Sequence, residues 1–190
     1  MKKYIVGITG ASGSIYGIRA AEELLKQNNE VYLTITDNGK KVMSYETGYE
    51  VGDIIEKLKN IGKINLCNNN DLFEPIASGS FKVEGMVVAP CSMSAAGRMA
   101  NGISLNLLDR AADVCIKEKR KLILVPREAP LSNIHLENML KLSKSGAVIL
   151  PASPGFYIKP QSVDDMINFI VSRILDSLNI ENNLCKKWGA

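Results

Sequence analysis

KYIVGITGASGSIYGIRAAEELLKQNNEVYLTI, residues 3–35, sets the fold. Residues 3–9 form a short apolar run that stops at glycine, as a buried parallel strand does. Gly10 to Ser14 then breaks the pattern as a loop. Residues 15–26 place Ile15, Ile18, Ala21, Leu24 and Leu25 at helical spacing, which gives one inward face. Residues 30–35 alternate as a second strand does. Strand, loop, helix and strand make a βαβ unit, whose crossover is right-handed in nearly every case.

The same grammar repeats downstream. Apolar runs at residues 85–89, 122–125 and 147–150 each end just before a proline, at Pro90, Pro126 and Pro151. Each is followed by small or polar residues and then a helical stretch. The spacing predicts helices over 37–45, 51–58, 104–119, 132–145 and 162–178, two of the last three with Ser as N-cap. Such repetition predicts an α/β fold, a doubly wound parallel sheet with helices on both faces. No repeat, low-complexity tract or linker divides the chain, so residues 1–190 are expected to form one domain. The tail, 179–190, has too few apolar residues for a core of its own and is expected to dock on the domain or on a neighbour.

Composition narrows the function. Hydrophobic residues make up 46% of the chain and charged residues 23%, with a formal charge of +3 spread among both signs. That balance is too weak and too mixed for a nucleic-acid partner. No apolar run approaches the roughly 20 residues of a membrane helix. Met1-Lys2-Lys3 has the charge of a signal peptide, but Gly7, Gly10 and Gly13 interrupt the run behind it. Four scattered cysteines and one histidine offer neither a zinc pattern nor a disulfide framework, which points to a reducing cytoplasm and no metal.

In an open parallel sheet, ligands gather beyond the carboxyl ends of the strands, and three segments there carry chemistry. Gly10-Ala11-Ser12-Gly13-Ser14 is either a tight turn or a loop whose amides and hydroxyls, at a helix start, attract phosphate. It is neither GxGxxG nor a Walker loop, so it specifies neither NAD nor ATP. Ala89-Pro90-Cys91-Ser92-Met93-Ser94-Ala95 offers hydroxyls and a Ser cap. Cys91 has no histidine nearby to activate it, which favours a small core residue over a nucleophile. Pro126-Arg127-Glu128-Ala129-Pro130 stiffens a loop bearing one cation and one carboxylate, either a structural pair or a proton carrier beside an anion-holding Arg. Arg110 and Lys117, seven residues apart, share a helix face, and Arg173 lies on the last helix. His135 suits a core or capping role, and Trp188 suits packing, an interface or a lid. These residues fit a nucleotide- or flavin-binding protein and do not specify its reaction.

At these motifs the sequence resembles the UbiX family of flavin prenyltransferases, nearly end to end. The resemblance runs through GITGASGSIYGIR from Gly7, Glu46-Thr47, ASGSF from Ala77, APCSM from Ala89 and RAADVCIKEKR from Arg110. It continues through LVPREAPLSNIHLENMLKLS from Leu124, GAVILPASPGFYIKPQSVDDMINFIVSRILD from Gly146, and Lys187-Trp188-Gly189. The resemblance implies a three-layered, Rossmann-like and flavodoxin-like flavoprotein fold of the HFCD type. It implies transfer of a dimethylallyl group from dimethylallyl monophosphate to N5 and C6 of reduced FMN, without metal. The product would serve as cofactor for a UbiD-type decarboxylase. FMN contacts are implied at Gly10, Ala11 and Ser12, at Thr36 where the family usually has Ser, at Ser92, Met93, Ser94 and Ala95, and at Arg127. The prenyl phosphate is implied to meet Lys117, Tyr157 and Arg173, with Arg110 close by, partly from a neighbouring subunit of a homo-oligomer, often a dodecamer. Glu46 and Glu128 are the implied proton carriers, Ser12 and Lys117 assist at the leaving phosphate, and Ser78 and Trp188 close the site.

Other functions share this fold class. Peptidyl-cysteine and phosphopantothenoylcysteine decarboxylases rely on a histidine and a PASANT-like segment, where this chain has no histidine and reads APCSMSAA. Direct decarboxylation of an aromatic acid would leave FMN as the only electron sink. A flavin carrier without catalysis would have no use for Glu46, Glu128 and a second anion site together.

Overall fold

In the computed structural model, which describes residues 1–185, six parallel strands form one sheet. In chain order the elements are β1 (Lys3–Ile8), α1 (Ser14–Lys26), β2 (Glu30–Ile35), α2 (Asp37–Thr47), α3 (Val51–Lys59), β3 (Ile64–Cys67) and β4 (Gly85–Cys91). They continue with α4 (Met93–Ala100), α5 (Leu107–Lys117), β5 (Lys121–Pro126), α6 (Asn133–Lys144), β6 (Val148–Ile149) and α7 (Val163–Ser177). The sheet order is β3-β2-β1-β4-β5-β6. The first three strands wind outward on one side of β1. The chain then crosses to β4 on its other side, and the order reverses between β1 and β4.

Strand alternation splits the core into two layers. Tyr4, Val6, Ile8, Leu33, Val87 and Val125 face α1, α3 and α7, whose Leu24, Leu58 and Ile174 are fully buried. Ile5, Met86, Val88, Leu122 and Leu124 face α4 and α5 through Met99, Leu107, Leu108 and Cys115. The result is the expected doubly wound, three-layered α/β sandwich. Helix α6 is the outlier, because Leu142 is its only buried residue and Ile134, Leu136 and Leu140 are exposed.

One close approach sets α1 over the sheet centre. A Cβ on Gly17 would lie 2.1 Å from the Ala89 carbonyl oxygen, so any larger residue would push the helix away from β4. Gly13 adopts the left-handed region at φ 103 and turns the chain into α1.

Three expectations are corrected. The sheet has a strand at Ile64–Cys67 that the apolar pattern does not show; it is an edge strand with exposed Leu66, and only Ile64 and Cys67 are buried. The helix expected over 104–119 is shorter, because Asn106 rather than Ser104 accepts the capping bond, from the Asp109 amide at 2.9 Å. The edge strand expected over 147–150 pairs with β5 only through Val148 and Ile149. The Ser caps at 132 and 162 are present. His135 takes its capping role, its Nδ1 accepting the Ser132 amide at 3.2 Å.

Candidate functional site

At the switch point, Thr9 ties the two central strands together. Its hydroxyl donates to the Pro90 carbonyl at 2.8 Å and accepts from the Ser92 amide at 2.8 Å. The side chain is buried, and the bridge spans 81 and 83 residues of sequence. Beside it opens a cleft of ≈ 390 Å³, lined by Thr9, Gly10, Thr36, Asn69, Ser92, Ser94, Arg98 and Asn106 among others. That volume lies within the range of small-molecule and cofactor sites.

Three helices begin at this cleft. Thr36 caps α2 by accepting the Gly39 amide at 3.0 Å. Ser92 caps α4 through the Ala95 amide at 3.3 Å, and Asn106 caps α5. All three caps line the same cavity. The starts of α2 and α4 present free N–H groups and the positive end of a dipole to a region that favours an anion, whereas the first amides of α5 are taken up by Asn69 and Asn106. Asp37, on the rim, is turned to Lys40 at 2.9 Å. The donor set of hydroxyls, amides and one guanidinium suits a phosphate-bearing ligand.

The anion expected at residues 10–14 is supplied by the chain itself. The Glu46 carboxylate accepts from the Gly13 amide at 3.0 and 3.1 Å, from the Ser14 amide at 3.1 Å and from the Ser14 hydroxyl at 2.8 Å. It therefore caps α1 from across the fold, and the Gly13 and Ser14 amides are not left for a phosphate. Burial pushes the Glu46 carboxyl up, but bonds from the Ser12 and Ser14 hydroxyls and from the two amides outweigh it and hold the group below its ordinary value. At neutral pH Glu46 is a fixed anion beside Ser12, able to accept a proton.

Arg127 and Glu128 extend β5 into the same edge, where the Arg127 amide donates to the Cys91 carbonyl at 3.3 Å. The two side chains do not pair. Arg127 makes no side-chain hydrogen bond or ion pair among the described residues, and Glu128 accepts only the neighbouring Ala129 amide, at 3.1 Å. Both are exposed. The structural pairing weighed for this loop is absent, and Glu128 is less firmly held than the proline-flanked sequence implied. Cys91, by contrast, is a fully buried core residue whose thiol burial pushes up to about 12, and it lacks nucleophile character.

The remaining cations lie elsewhere. Helix α5 runs back from the cleft toward the start of β5, so its 11 residues carry Lys117 roughly 16 Å from the cap end. Arg110 donates to the Ala77 carbonyl at 3.1 Å and pairs with Asp113 at 2.6 Å. Lys117 pairs with Glu118 and lies against Gly79. Both therefore face the loop carrying Ser78, whose hydroxyl bonds Ser80 at 2.8 Å. Arg173 pairs with Asp176 on the exposed side of α7, near the end whose Leu178 packs on Gly85 at the start of β4. Tyr157 packs edge-on against Phe169 at 5.7 Å and is half-exposed. Within one chain, then, Gly10–Ser12, Thr36, Glu46, Ser92–Ala95, Arg127 and Glu128 gather at the carboxyl edge, whereas Ser78, Lys117 and Arg173 lie toward the amino edge. Trp188 lies outside the described residues.

Sequence reasoning missed Thr9, Asn69, Arg98, Asn106 and Asp109. Arg98 forks onto the buried Asp109 at 2.7 and 3.2 Å, but a separation of 11 residues across a helix break gives no periodic signal. Among the described residues no cluster of His, Cys, Asp or Glu is placed to hold a metal ion.

The flavoprotein family model matches residues 1–175. A flavin prenyltransferase UbiX of Alkalihalophilus pseudofirmus is 50% identical over 189 residues, covering 97% of this chain and 94% of the relative. The crystal structure of AnUbiX (PadA1) in complex with FMN and dimethylallyl pyrophosphate superposes with a TM-score of 0.93 at 38% identity, covering 100% of this chain and 98% of that one. A dodecameric FMN-dependent UbiX-like decarboxylase from Escherichia coli O157:H7 gives 0.92 at 40% identity, covering 99% and 100%.

Because Glu46 titrates below 4.5 in the fold, its ionised form stabilises the protein above that pH, and the contribution is lost as pH falls through the depressed value. Glu46→Gln should lower stability by ~1 kcal/mol near neutrality, the size of a helix N-cap. Urea unfolding of both proteins at neutral pH and at about pH 3 should show the gap closing in acid. A gap that does not change with pH would remove the ionised cap.

Proposed function

The chain belongs to the UbiX flavin prenyltransferases of the flavoprotein family, and from that premise we propose that it transfers a dimethylallyl group from dimethylallyl monophosphate to N5 and C6 of reduced FMN. The observation that carries this reading is likeness over the whole chain, at a TM-score of 0.93, to a protein solved with FMN and dimethylallyl pyrophosphate. The cleft at the β1–β4 edge, with its three helix starts, supports the flavin half of the reaction.

Reduced FMN supplies the nucleophilic ring atoms. Gly10, Ala11, Ser12, Thr36 and the segment Ser92–Ala95 would hold it, and Arg127, whose side chain makes no ion pair among the described residues, would supply a cation. Glu46, held ionised by the start of α1, and the exposed Glu128 would accept the protons that the flavin ring gives up as its new bonds form. As the allylic carbon–oxygen bond breaks, negative charge grows on the departing phosphate, and fixed cations stabilise it without reorganising.

Those cations, Lys117, Arg173 and Arg110 with Tyr157, are not all within reach of the cleft of their own chain. We read the complete site as shared between copies in a homo-oligomer, a dodecamer like the Escherichia coli relative. The exposed Ile134 and Leu140 of α6, with Phe156 and Val163, offer apolar surface for such contacts. Residues 1–190 act as one domain in this reading, and the tail with Trp188 closes a site alongside Ser78. The product passes to a UbiD-type decarboxylase. The setting in this reading is cytoplasmic.

Anaerobic incubation with reduced FMN and dimethylallyl monophosphate, with no metal added, should give a flavin heavier by one five-carbon unit. Product from the diphosphate alone would change the donor. Bound FMN unmodified by either donor would overturn the reading and favour the decarboxylase or carrier alternatives. In the same assay, Arg127→Ala and Lys117→Ala chains should each be inactive alone and regain activity when co-assembled. Failure to complement would contradict the shared site.

A further inference from the structure

Residues 77–81, between β3 and β4, lie as a strap against α5 and the turn that follows it. Main-chain carbonyls are its anchors. Ala77 accepts from Arg110 Nε at 3.1 Å, Gly79 from Arg120 Nη2 at 2.5 Å, and Phe81 from Arg120 Nη1 at 2.8 Å. One planar guanidinium thus holds two carbonyls as a fork, which an ammonium does not reproduce. Phe81 secures the far end, its ring meeting Tyr32 edge-on at 5.0 Å under the Lys3 ammonium at 4.5 Å.

Local structure fixes Arg120 in turn. Helix α5 stops at Lys119, which takes the left-handed region at φ 54. The Lys119 amide donates to the Ile116 carbonyl at 3.1 Å and the Arg120 amide to the Cys115 carbonyl at 2.8 Å, the paired bonds of a Schellman stop. Beneath the strap, Gly79 leaves room for the Lys117–Glu118 pair. A Cβ there would lie 2.5 Å from Glu118 Oε1 and 2.8 Å from Lys117 Nζ. Those atoms end long, flexible side chains, so an added methyl group would displace the pair and spare the backbone. The pair itself is exposed and holds Lys117 only weakly; the strap above it supplies the confinement.

We propose that Arg120 is a positioning residue for donor binding: it holds the strap so that Gly79 seats the Lys117 ammonium in one place before the donor arrives. The inference rests on the reading that Lys117 meets the prenyl phosphate in a neighbouring copy's site. A free lysine carries large rotamer entropy, and ordering it in advance removes that cost from binding. Immobilising one such side chain corresponds to about 2- to 10-fold in affinity. The bound phosphate orders Lys117 in any case, so the loss falls on donor binding and not on the bond-making step.

The test is steady-state prenylation by the assembled protein, with dimethylallyl monophosphate varied at saturating reduced FMN. Gly79→Ala removes no hydrogen-bonding group and displaces only the Lys117–Glu118 pair. It should raise the donor KM about 2- to 10-fold and leave kcat and FMN affinity unchanged. Arg120→Ala should do the same, and Arg120→Lys, which reaches one carbonyl without forking two, should fall between it and wild type. Circular dichroism and size-exclusion elution report whether each variant folds and assembles; should the Arg120 variants fail either, Gly79→Ala decides alone. An unchanged donor KM in either folded Ala variant, a loss in kcat as large as that in KM, or an equal loss of FMN affinity would overturn the positioning role while leaving the transferase reading intact. A wild type that prenylates no flavin would overturn the transferase reading itself, and this role with it.

Discussion

The hydroxyl of Thr9, bonded at once to the Pro90 carbonyl and the Ser92 amide, holds the tips of β1 and β4 in a fixed relation. Everything at the carboxyl edge depends on it. It sets where α4 begins, and therefore where the amides capped by Ser92 point. It also fixes the floor from which Gly10 to Gly13 rise into α1, which Gly17 allows to pack against Ala89. The side-chain bridge, between elements more than 80 residues apart, reinforces a backbone bond from the Thr9 amide to the same Pro90 carbonyl at 3.3 Å.

Electrostatics follow from that geometry. Of the helix starts at this edge, three bear on the site, and their positive ends are treated in two ways. The start of α1 is neutralised internally by Glu46, which is held ionised at neutral pH beside Ser12. The starts of α2 and α4 remain open to the cleft beside Arg98. One edge therefore carries a proton acceptor and an anion-binding region side by side, without either cancelling the other. Lys117 and Arg173 lie at the far ends of α5 and α7, and under the proposed function they serve another copy's site.

Much of this was legible in the sequence. The βαβ unit at residues 3–35 fixed the parallel sheet, since strand and helix periods alternate there without ambiguity. Motif resemblance supplied the chemistry and named Ser12, Glu46, Arg127 and Glu128, all of which the fold brings to one edge. What stayed hidden has physical causes. Ile64–Cys67 pairs along one edge only and needs just two buried side chains, too few to show a period. The true cap of α5 is Asn106 because the chain must first clear the turn at Gly102, with φ 66. Thr9, Asn69 and the Arg98–Asp109 fork act through contacts between distant segments, which local pattern does not record. Glu46 is the instructive case: the glycine loop was rightly seen as anion-seeking, but which anion fills it is decided by α2, 32 residues on.

The central claim is that the flavin is held at the β1–β4 edge that Thr9 organises. Thr9→Val keeps the size of the side chain and removes only the bridge, so FMN affinity of that variant, measured beside its circular dichroism, tests the claim most directly. The account predicts a native-like spectrum with FMN binding weakened at least about tenfold, the equivalent of one hydrogen bond. A folded variant that binds FMN as tightly as wild type would contradict it.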